Sequence, residues 1–495
     1  MKPSPEHIPV IIGIGEISEK PDEAHRGREP LHLMHDAAKL AVQDAGISIK
    51  ELDSLDIVMP MSWRYEDLAK QLSHELGVSP SHAQLGPSGG ESPLRYIHTA
   101  AQRIASGQNE VALIVGGEAQ HTLTSLQRQG ITPDWTPFAM NGPNFADIGD
   151  AVHPLSSEHG LYMPVNVYGF FEAASSQSWG HSPRTAQNES AAIWERYSRA
   201  AHQNPYSWKP ALLTSHDIQT VTPKNRMIGG PYPKSMVANM NVNQSAAVIV
   251  TSLSKARAAG IHEDNFVYIT GGAGANEPRN FLSRDNYKYC AAQDAVLTQM
   301  QNISKGNLGL LELYSCFPCV PKMAKRVLNL PNDFMPTVTG GLSFFGAPLN
   351  NYMTHASCAM VRAIRGGAAC GTLYGQGEYM TKHFGLRLSK QYEGFISVSD
   401  TQAKADSLRG PIPPLSPTAS GPMTVETFTM MYNRDGSINR GVIIAKTQDG
   451  SRTLASVLHS DSEGIAALIS DTDYPIGLRG IAKRPKTGAA IWHFS

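Results

Sequence analysis

The sequence has few cysteines and no long hydrophobic run. Five cysteines in 495 residues are too few, and odd in number, for the disulfide framework of a secreted protein. No stretch reaches the roughly 18–20 consecutive apolar residues that span a bilayer, and the N-terminal residues lack the apolar segment of a signal peptide. These absences predict a soluble cytoplasmic protein with no membrane segment.

The sequence also lacks an excess of either charge. It has 42 basic and 43 acidic residues, which argues against a protein built to grip nucleic acid or an anionic membrane. Charged residues make up 17% of the chain and hydrophobic residues 41%, with 44 glycines and 33 prolines. This composition is typical of a compact α/β protein with many turns rather than of a disordered chain.

The order of the predicted elements indicates an α/β fold built from two similar halves. The first third alternates buried strands with helices such as Leu31–Ala45, the pattern of a mainly parallel sheet covered by helices. The pattern loosens over about 117–235, as in a binding or lid region, and the alternation then returns. We predict an N-terminal half over 1–252, including this loop region, and a C-terminal half over 253–405.

A proline-rich connector follows the second half. Residues 406–422 contain several prolines, which exclude a helix or a central strand. Beyond it, alternating segments are separated by the turns Asn433–Gly436 and Gln448–Gly450, which end in Asp-Gly and close hairpins. Residues 423–495 are therefore predicted to form a small β-rich domain, similar to a barrel.

Four segments resemble the sterol-carrier-type branch of the thiolase superfamily. They read L-Y-S-C-F-P at 313–318, T-G-G-L-S-F-F-G at 339–346, N-N-Y-M-T-H-A at 350–356 and Y-M-T-K-H at 379–383. The likeness covers essentially the whole chain and includes the acetyl-CoA acetyltransferase-like members of that branch. It implies a duplicated thiolase fold with αβαβα layers and a small C-terminal domain likened to an oligonucleotide/oligosaccharide-binding barrel. It also implies coenzyme A or an acyl-CoA as the ligand.

The residues that thiolases use for chemistry are replaced. A thiolase accepts the acyl group on a cysteine thiolate, and the residue closest to that position here is Ser88. Tyr314 and Ala347 stand where the family has its two catalytic histidines, and Leu373 replaces the second cysteine. A serine hydroxyl would need an adjacent base, and Ser88 equally suits a loop that caps a helix.

Four further candidates remain near the expected centre. Tyr314 could donate a hydrogen bond to a developing oxyanion or be a buried structural aromatic residue. His355 is the best surviving general base, against the alternative of a histidine on the first turn of a helix, and His383 is a second candidate. Cys316 is the thiol nearest the centre. With Cys319 it forms a C-x-x-C that could begin a redox site, but no second C-x-x-C completes a zinc site, so we predict no metal.

Coenzyme A needs cations for its phosphates. The loop region offers Lys224, Arg226 and Lys234, although solvated loop cations are the simpler interpretation. Asn350 and Asn351 add amide groups in the retained N-N-Y-M-T-H-A segment and complete the predicted binding set.

Three functions fit this set. The first is an acyl-CoA-dependent acyltransferase with a non-standard site; the second is a catalytically inactive protein that binds acyl-CoA or a partner. The third is a retro-aldol lyase on a β-hydroxyacyl-CoA, since relatives that cleave such thioesters use tyrosines in the same loops. Nucleic-acid binding by the tail is disfavoured, and both a homodimer and a monomer fit the sequence. The tail cations in question are Arg479, Lys483, Arg484 and Lys486.

Overall fold

The computed structural model describes residues 4–140, 151–397, 401–486 and 488–495. Its strands are β1 (Pro9–Ser18), β2 (Ser54–Ile57), β3 (His82–Leu85), β4 (Val111–Ala119), β5 (Met227–Gly229), β6 (Tyr232–Pro233), β7 (Asn243–Ser252), β8 (Val267–Asn276), β9 (Leu310–Leu313), β10 (Cys370–Gly377), β11 (Lys382–Ser389), β12 (Gly421–Tyr432), β13 (Ile438–Lys446), β14 (Arg452–Leu458), β15 (Arg479–Lys483) and β16 (Ile491–Phe494).

The α-helices complete the element list. They are α1 (Pro30–Ala45), α2 (Leu68–Leu76), α3 (Ser92–Ala105), α4 (Gln120–Gln129), α5 (Pro154–Glu158), α6 (Pro164–Ser178), α7 (Pro183–Gln203), α8 (Ser215–Gln219), α9 (Leu253–Ala258), α10 (Ala291–Ile303), α11 (Cys319–Val327), α12 (Tyr352–Arg365), α13 (Thr401–Leu408) and α14 (Ser462–Leu468). Among the described helices, none is both long and apolar enough to cross a membrane.

A nine-stranded sheet in the order β3-β2-β4-β7-β1-β8-β11-β10-β9 forms the body. It consists of two half-sheets that meet at a short antiparallel pairing of β1 with β8, limited to Val10 opposite Tyr268 and Ile11 opposite Val267. In each half the last strand, β7 or β11, runs antiparallel to both of its neighbours. The predicted duplication is therefore confirmed by the strand order.

Two helices lie between the half-sheets. Both α3 and α12 contact strands of both halves, while α1 packs on β1, β4 and β7 and α10 packs on β8 and β11. The result is the predicted αβαβα arrangement. The N-termini of α3 and α12 both carry loops that the sequence analysis singled out, so the central layer positions the site.

The outer helix α1 lies unusually close to β1. A Cβ atom on Gly13 would overlap with the carbonyl oxygen of Ala41, and one on Gly15 would overlap with that of Ala37. Small residues on both elements thus allow the helix to approach the strand directly. This explains why an apolar strand carries two glycines.

The C-terminal strands close into a five-stranded barrel. β12 pairs with β13, β13 with β14, β14 with β16, β16 with β15, and β15 with β12 again. The barrel confirms the predicted β-rich tail. The domain boundaries placed at 252, 405 and 422 stay predictions, although β7 ends at Ser252 and β12 begins at Gly421.

The barrel is joined firmly to the body. The short strand β5 of the loop region extends the barrel sheet, with Gly229 opposite Met431 of β12. On α6, the carbonyl oxygen of Phe170 accepts a 2.7 Å hydrogen bond from the Thr427 hydroxyl. The barrel is consequently a packed part of the molecule and not a tethered module.

A buried histidine at this junction makes stability depend on pH. His159 Nδ1 lies 2.8 Å from the Ser456 hydroxyl, and burial, with Arg440 and Arg484 nearby, lowers its pKa to about 4. The unfolded chain takes up this proton near pH 6.5 and the folded chain only near pH 4. Stability is therefore lost as the pH falls from about 6.5 to 4, by about 3 kcal/mol for a shift of this size.

We expect His159→Asn to flatten this pH dependence. Asparagine keeps a polar group near the Ser456 hydroxyl but cannot bind a proton, so the loss of unfolding free energy between pH 6.5 and 4 should shrink by up to about 3 kcal/mol. Urea denaturation at several pH values measures it. His262→Asn, at an exposed histidine, is the control; an equal slope in all three proteins would contradict the assignment.

Candidate active site

The loop between β3 and α3 is held by an asparagine from the other half. Asn350 Oδ1 accepts hydrogen bonds from the Ser88 hydroxyl (3.2 Å) and from the Gly89 backbone N–H (3.0 Å). Asn350 Nδ2 donates to the carbonyl oxygen of Met59 at 2.9 Å. Ser88 is half-buried and donates to an amide oxygen rather than to a base, so nothing in this contact activates its hydroxyl as a nucleophile.

Gly90, not Ser88, faces Tyr314. A Cβ atom at position 90 would overlap with the Tyr314 hydroxyl and with the backbone carbonyl oxygen of Gln376. Tyr314 follows β9, and its backbone N–H donates to the carbonyl oxygen of Tyr374 at 3.0 Å. The phenol therefore fills the space that a side chain at the start of α3 would need.

The Tyr314 hydroxyl is a proton donor at neutral pH. The side chain is buried, and burial raises its pKa well above the usual 10, with Cys316 and Glu91 adding to the shift. No hydrogen-bond partner of this hydroxyl occurs among the described residues. A protonated, unpartnered phenol of this kind can donate to a carbonyl oxygen brought next to Gly90.

Cys316 lies beside the same space but is not a thiolate. Its half-buried Sγ accepts a hydrogen bond from Gln376 Nε2 at 2.8 Å. Burial raises the pKa of the thiol to about 12, against the opposing effect of the neighbouring Tyr168 hydroxyl and of Gln376. With so high a pKa the thiol is protonated at pH 7. Cys319, at the start of α11, is buried and its pKa is also raised.

Gln376 connects Cys316 to the loop region. Its Nε2 also donates to the Tyr168 hydroxyl at 2.7 Å. The same hydroxyl accepts from the Met380 backbone N–H at 3.1 Å and donates to the Glu378 carbonyl oxygen at 3.0 Å. We call the following set the central site: Ser88, Gly90, Tyr314, Cys316, Asn350 and Gln376.

Glu91 is a buried carboxyl group beside the central site that the sequence analysis missed. Its Oε2 has no partner in the described part of the chain, and a Cβ on Gly89 or Gly377 would overlap with the carboxyl group. Burial raises its pKa, opposed by Arg95 and Lys382. An acidic residue directly before a helix usually reads as a capping residue, which is why the pattern gave no catalytic signal.

Comparison with known proteins supports the fold. Residues 404–484 match the additional C-terminal domain of thiolase-like protein type 1. The structure of a monomeric SCP2-thiolase like protein type 1 from Mycobacterium smegmatis is 27% identical, with a TM-score of 0.82 and 99% of each chain covered. These two findings support a protein of the thiolase superfamily. None of the curated proteins matches the sequence.

Two more distant structures share the thiolase fold. The Ltp2-ChsH2(DUF35) aldolase is 18% identical with a TM-score of 0.60, over 78% of this chain and 98% of that one. Human mitochondrial 3-ketoacyl-CoA thiolase in complex with CoA is 14% identical with a TM-score of 0.57, over 77% and 98%.

His355 does not join the central site. It lies on the first turn of α12, fully buried, with Nδ1 2.7 Å from Glu16 Oε1 of β1. Glu16 also accepts from Arg362, and these two line a separate cavity of about 510 Å³. No contact in the described ranges links His355 to Ser88 or Tyr314, so its role as a general base stays a prediction without a contact to support it.

His383 is a neutral, fully engaged histidine. Its Nδ1 lies 2.7 Å from the Tyr374 hydroxyl, and its Nε2 lies 3.3 Å from Cys290 Sγ and 3.1 Å from the Met380 carbonyl oxygen. Burial lowers the pKa of His383 to about 4 and raises that of Cys290 to about 12. The pair is therefore uncharged at neutral pH, and the fold leaves neither group open to a ligand.

The predicted coenzyme A cations lie at the junction with the barrel. Lys224 and Lys234 are exposed, and the Arg226 side chain packs against Gly436 in the β12–β13 turn. Asn351 donates to the Gly116 carbonyl oxygen at 2.7 Å and is structural in this contact. Over the residues described, no group of three or more His, Cys, Asp or Glu side chains could hold a metal.

Backbone strain is concentrated around the central site. Of the described residues, five other than glycine have positive φ, and three of them lie in its loops: Leu349 (45°), Glu378 (55°) and Met380 (60°). Each costs of order 1–3 kcal/mol and persists only where its surroundings hold it. The turn after β10 is held by Tyr168 and by Arg284, which donates to the Met380 carbonyl oxygen at 2.7 Å.

The contact between Gly90 and Tyr314 can be tested by substitution. Gly90→Ala should destabilise the protein by about 1–3 kcal/mol, because the added methyl group overlaps with the phenol and the Gln376 carbonyl oxygen. In a Tyr314→Ala background the same change should cost at least 1 kcal/mol less.

Urea denaturation of the four proteins gives the coupling. Gly410→Ala is the matched control, since a Cβ there makes only ordinary contacts. Equal costs of Gly90→Ala in both backgrounds would show that Tyr314 does not occupy this space.

Proposed function

We propose that this protein binds an acyl-CoA between its two halves, with the thioester beside Gly90, and that it does not carry the acyl group covalently. The observation that carries the proposal is the contact between Gly90 and Tyr314. Thiolase-type proteins act on acyl-CoA thioesters, and the site retains a hydrogen-bond donor where the thioester carbonyl would lie. Gly90, next to this donor, supplies no side chain that could act as a nucleophile.

Two groups, Ser88 and Cys316, could replace the cysteine nucleophile of a thiolase, and both give little support to acyl transfer. Ser88 donates to Asn350 and has no base. Cys316 is held as a thiol, since burial raises its pKa to about 12. Position 90 has no side chain. The acyltransferase activity predicted from the sequence would therefore need a nucleophile outside these groups.

The strained backbone of two loops supports a site that binds a ligand. Leu349, Glu378 and Met380 keep unfavourable backbone conformations in the two loops that carry Asn350 and Lys382. A site without a ligand would gain stability by relaxing them, whereas a binding site needs the loops held in one arrangement. This supports acyl-CoA binding over an unused remnant of a thiolase.

A second candidate is cleavage of a β-hydroxyacyl-CoA. In such a retro-aldol reaction the Cα–Cβ bond breaks, a base takes the β-hydroxyl proton, and the electron pair passes to the thioester as an enolate, which then takes a proton at Cα. Tyr314 supplies the donor for the enolate oxygen. Glu91, whose pKa burial raises, is the carboxyl group beside the central site that is available for the proton transfer.

We also propose that the protein is cytoplasmic and monomeric. Lys224, Arg226 and Lys234 would hold the phosphates of coenzyme A. The exposure of both lysines supports the phosphate site. The similar Mycobacterium smegmatis protein is described as monomeric, which supports the monomer.

Incubation with acetyl-CoA and acetoacetyl-CoA tests the absence of acyl transfer. We expect saturable binding by calorimetry, no acyl adduct by intact mass, and no release of free CoA thiol. An adduct that disappears in Cys316→Ala or Ser88→Ala would establish covalent transfer instead. Absence of binding to every acyl-CoA tried would refute the proposal altogether.

A panel of β-hydroxyacyl-CoA substrates tests the lyase. Cleavage to a carbonyl compound and a shorter acyl-CoA should fall about 10²–10³-fold in Tyr314→Phe, which removes one donor to the enolate, while substrate binding changes little. Activity that survives Tyr314→Phe would exclude this role. No cleavage of any substrate would remove the lyase and leave the binding proposal standing.

A further inference from the structure

Tyr168 uses its whole hydrogen-bonding capacity on Gln376 of the central site and on the turn that follows it. The hydroxyl accepts from Gln376 Nε2 (2.7 Å) and from the Met380 N–H (3.1 Å), and it donates to the Glu378 carbonyl oxygen (3.0 Å). A phenol offers one donor and two acceptor positions, so one side chain holds both Gln376 and the strained turn behind it. Its ring stacks on Phe317, with centroids 4.4 Å apart.

The opposite side of the same helix turn belongs to the barrel. The next residue, Gly169, lies so close to β12 that a Cβ would overlap with the Thr429 hydroxyl. The residue after that, Phe170, accepts the hydrogen bond of Thr427 through its carbonyl oxygen at 2.7 Å. Three successive residues of α6 thus join the central site directly to the barrel.

We propose that Tyr168 is a positioning residue of the central site and that the barrel acts through α6 to hold it there. Contacts with Thr427 and Thr429 of the barrel fix the position of α6 relative to strand β12. The helix then places the Tyr168 hydroxyl where it holds Gln376 and the turn from Gly377 to Lys382. Gln376 in turn contacts Cys316, and Lys382 donates to the Ser88 carbonyl oxygen at 2.8 Å.

The Met380 backbone N–H in this turn depends on Tyr168 for its hydrogen bond. This N–H is buried and bonded to the Tyr168 hydroxyl, and Met380 has positive φ. Removing the hydroxyl leaves a buried donor unpaired, which favours opening of the turn to water. The proposal concerns the site of the proposed function but depends on no ligand.

Amide hydrogen exchange without ligand tests it. In Tyr168→Phe, exchange over 377–382 should be at least 10-fold faster than in the parent protein. In Thr427→Val, which removes only the hydrogen bond from the barrel to α6, it should be about 3–10-fold faster. Exchange in the body strands should change less than twofold, which separates loosening of the turn from general destabilisation.

Two matched controls remove similar groups elsewhere. Tyr65→Phe deletes a buried hydroxyl that bonds to Glu29 and Leu31, far along the chain from the turn. Thr453→Val alters a buried barrel hydroxyl that has no partner within the described structure. Neither should alter exchange over 377–382 by more than twofold.

The outcomes are distinct. Unchanged exchange in Tyr168→Phe would overturn the positioning role. Faster exchange in Tyr168→Phe together with unchanged exchange in Thr427→Val would overturn the role assigned to the barrel. If the exchange results hold but the parent protein binds no acyl-CoA, the proposed function fails and the positioning role stands.

Discussion

The space around Gly90 is the constraint on which the site depends. In this protein the start of α3 is packed against the hydroxyl of Tyr314 and the carbonyl oxygen of Gln376, so the chain passes there only as glycine. This packing brings a donor close to the helix N-terminus and leaves no room for a side chain at position 90. The chemistry open to the protein depends on whether the Tyr314 hydroxyl or a side chain at position 90 occupies this space.

Burial decides the protonation of the groups around that volume. The thiol of Cys316, the phenol of Tyr314 and the carboxyl group of Glu91 all have raised pKa values, with burial as the main cause. In each group the shift disfavours the charged form. The site is rich in donors and poor in nucleophiles, which suits polarisation of a carbonyl group better than attack on it.

The fold could be predicted because local sequence patterns determine its helices and hairpins. Much of the site could not be predicted, because it depends on contacts between residues far apart in the sequence. The spacing of apolar residues over Leu31–Ala45 and the Asp-Gly turns after residue 423 correspond to observed helix and hairpin ends. The contact of Ser88 with Asn350 joins residues 262 positions apart, and Tyr168 lies in a region without clear periodicity. His355 follows Asn350 closely in sequence, yet the helix turns it towards Glu16 of β1.

The pairing of β5 with β12 has a consequence for how the chain is made. Gly229 can pair with Met431 only after Met431 has been synthesised, roughly 200 residues later. This corresponds to about 10–40 s of synthesis at ordinary elongation rates. During that interval the outer side of α6 and the free edge of β5 have no covering strand. A nascent chain of this kind is exposed to wrong pairings, and its N-terminal half reaches its final form only after strand β12 has been synthesised.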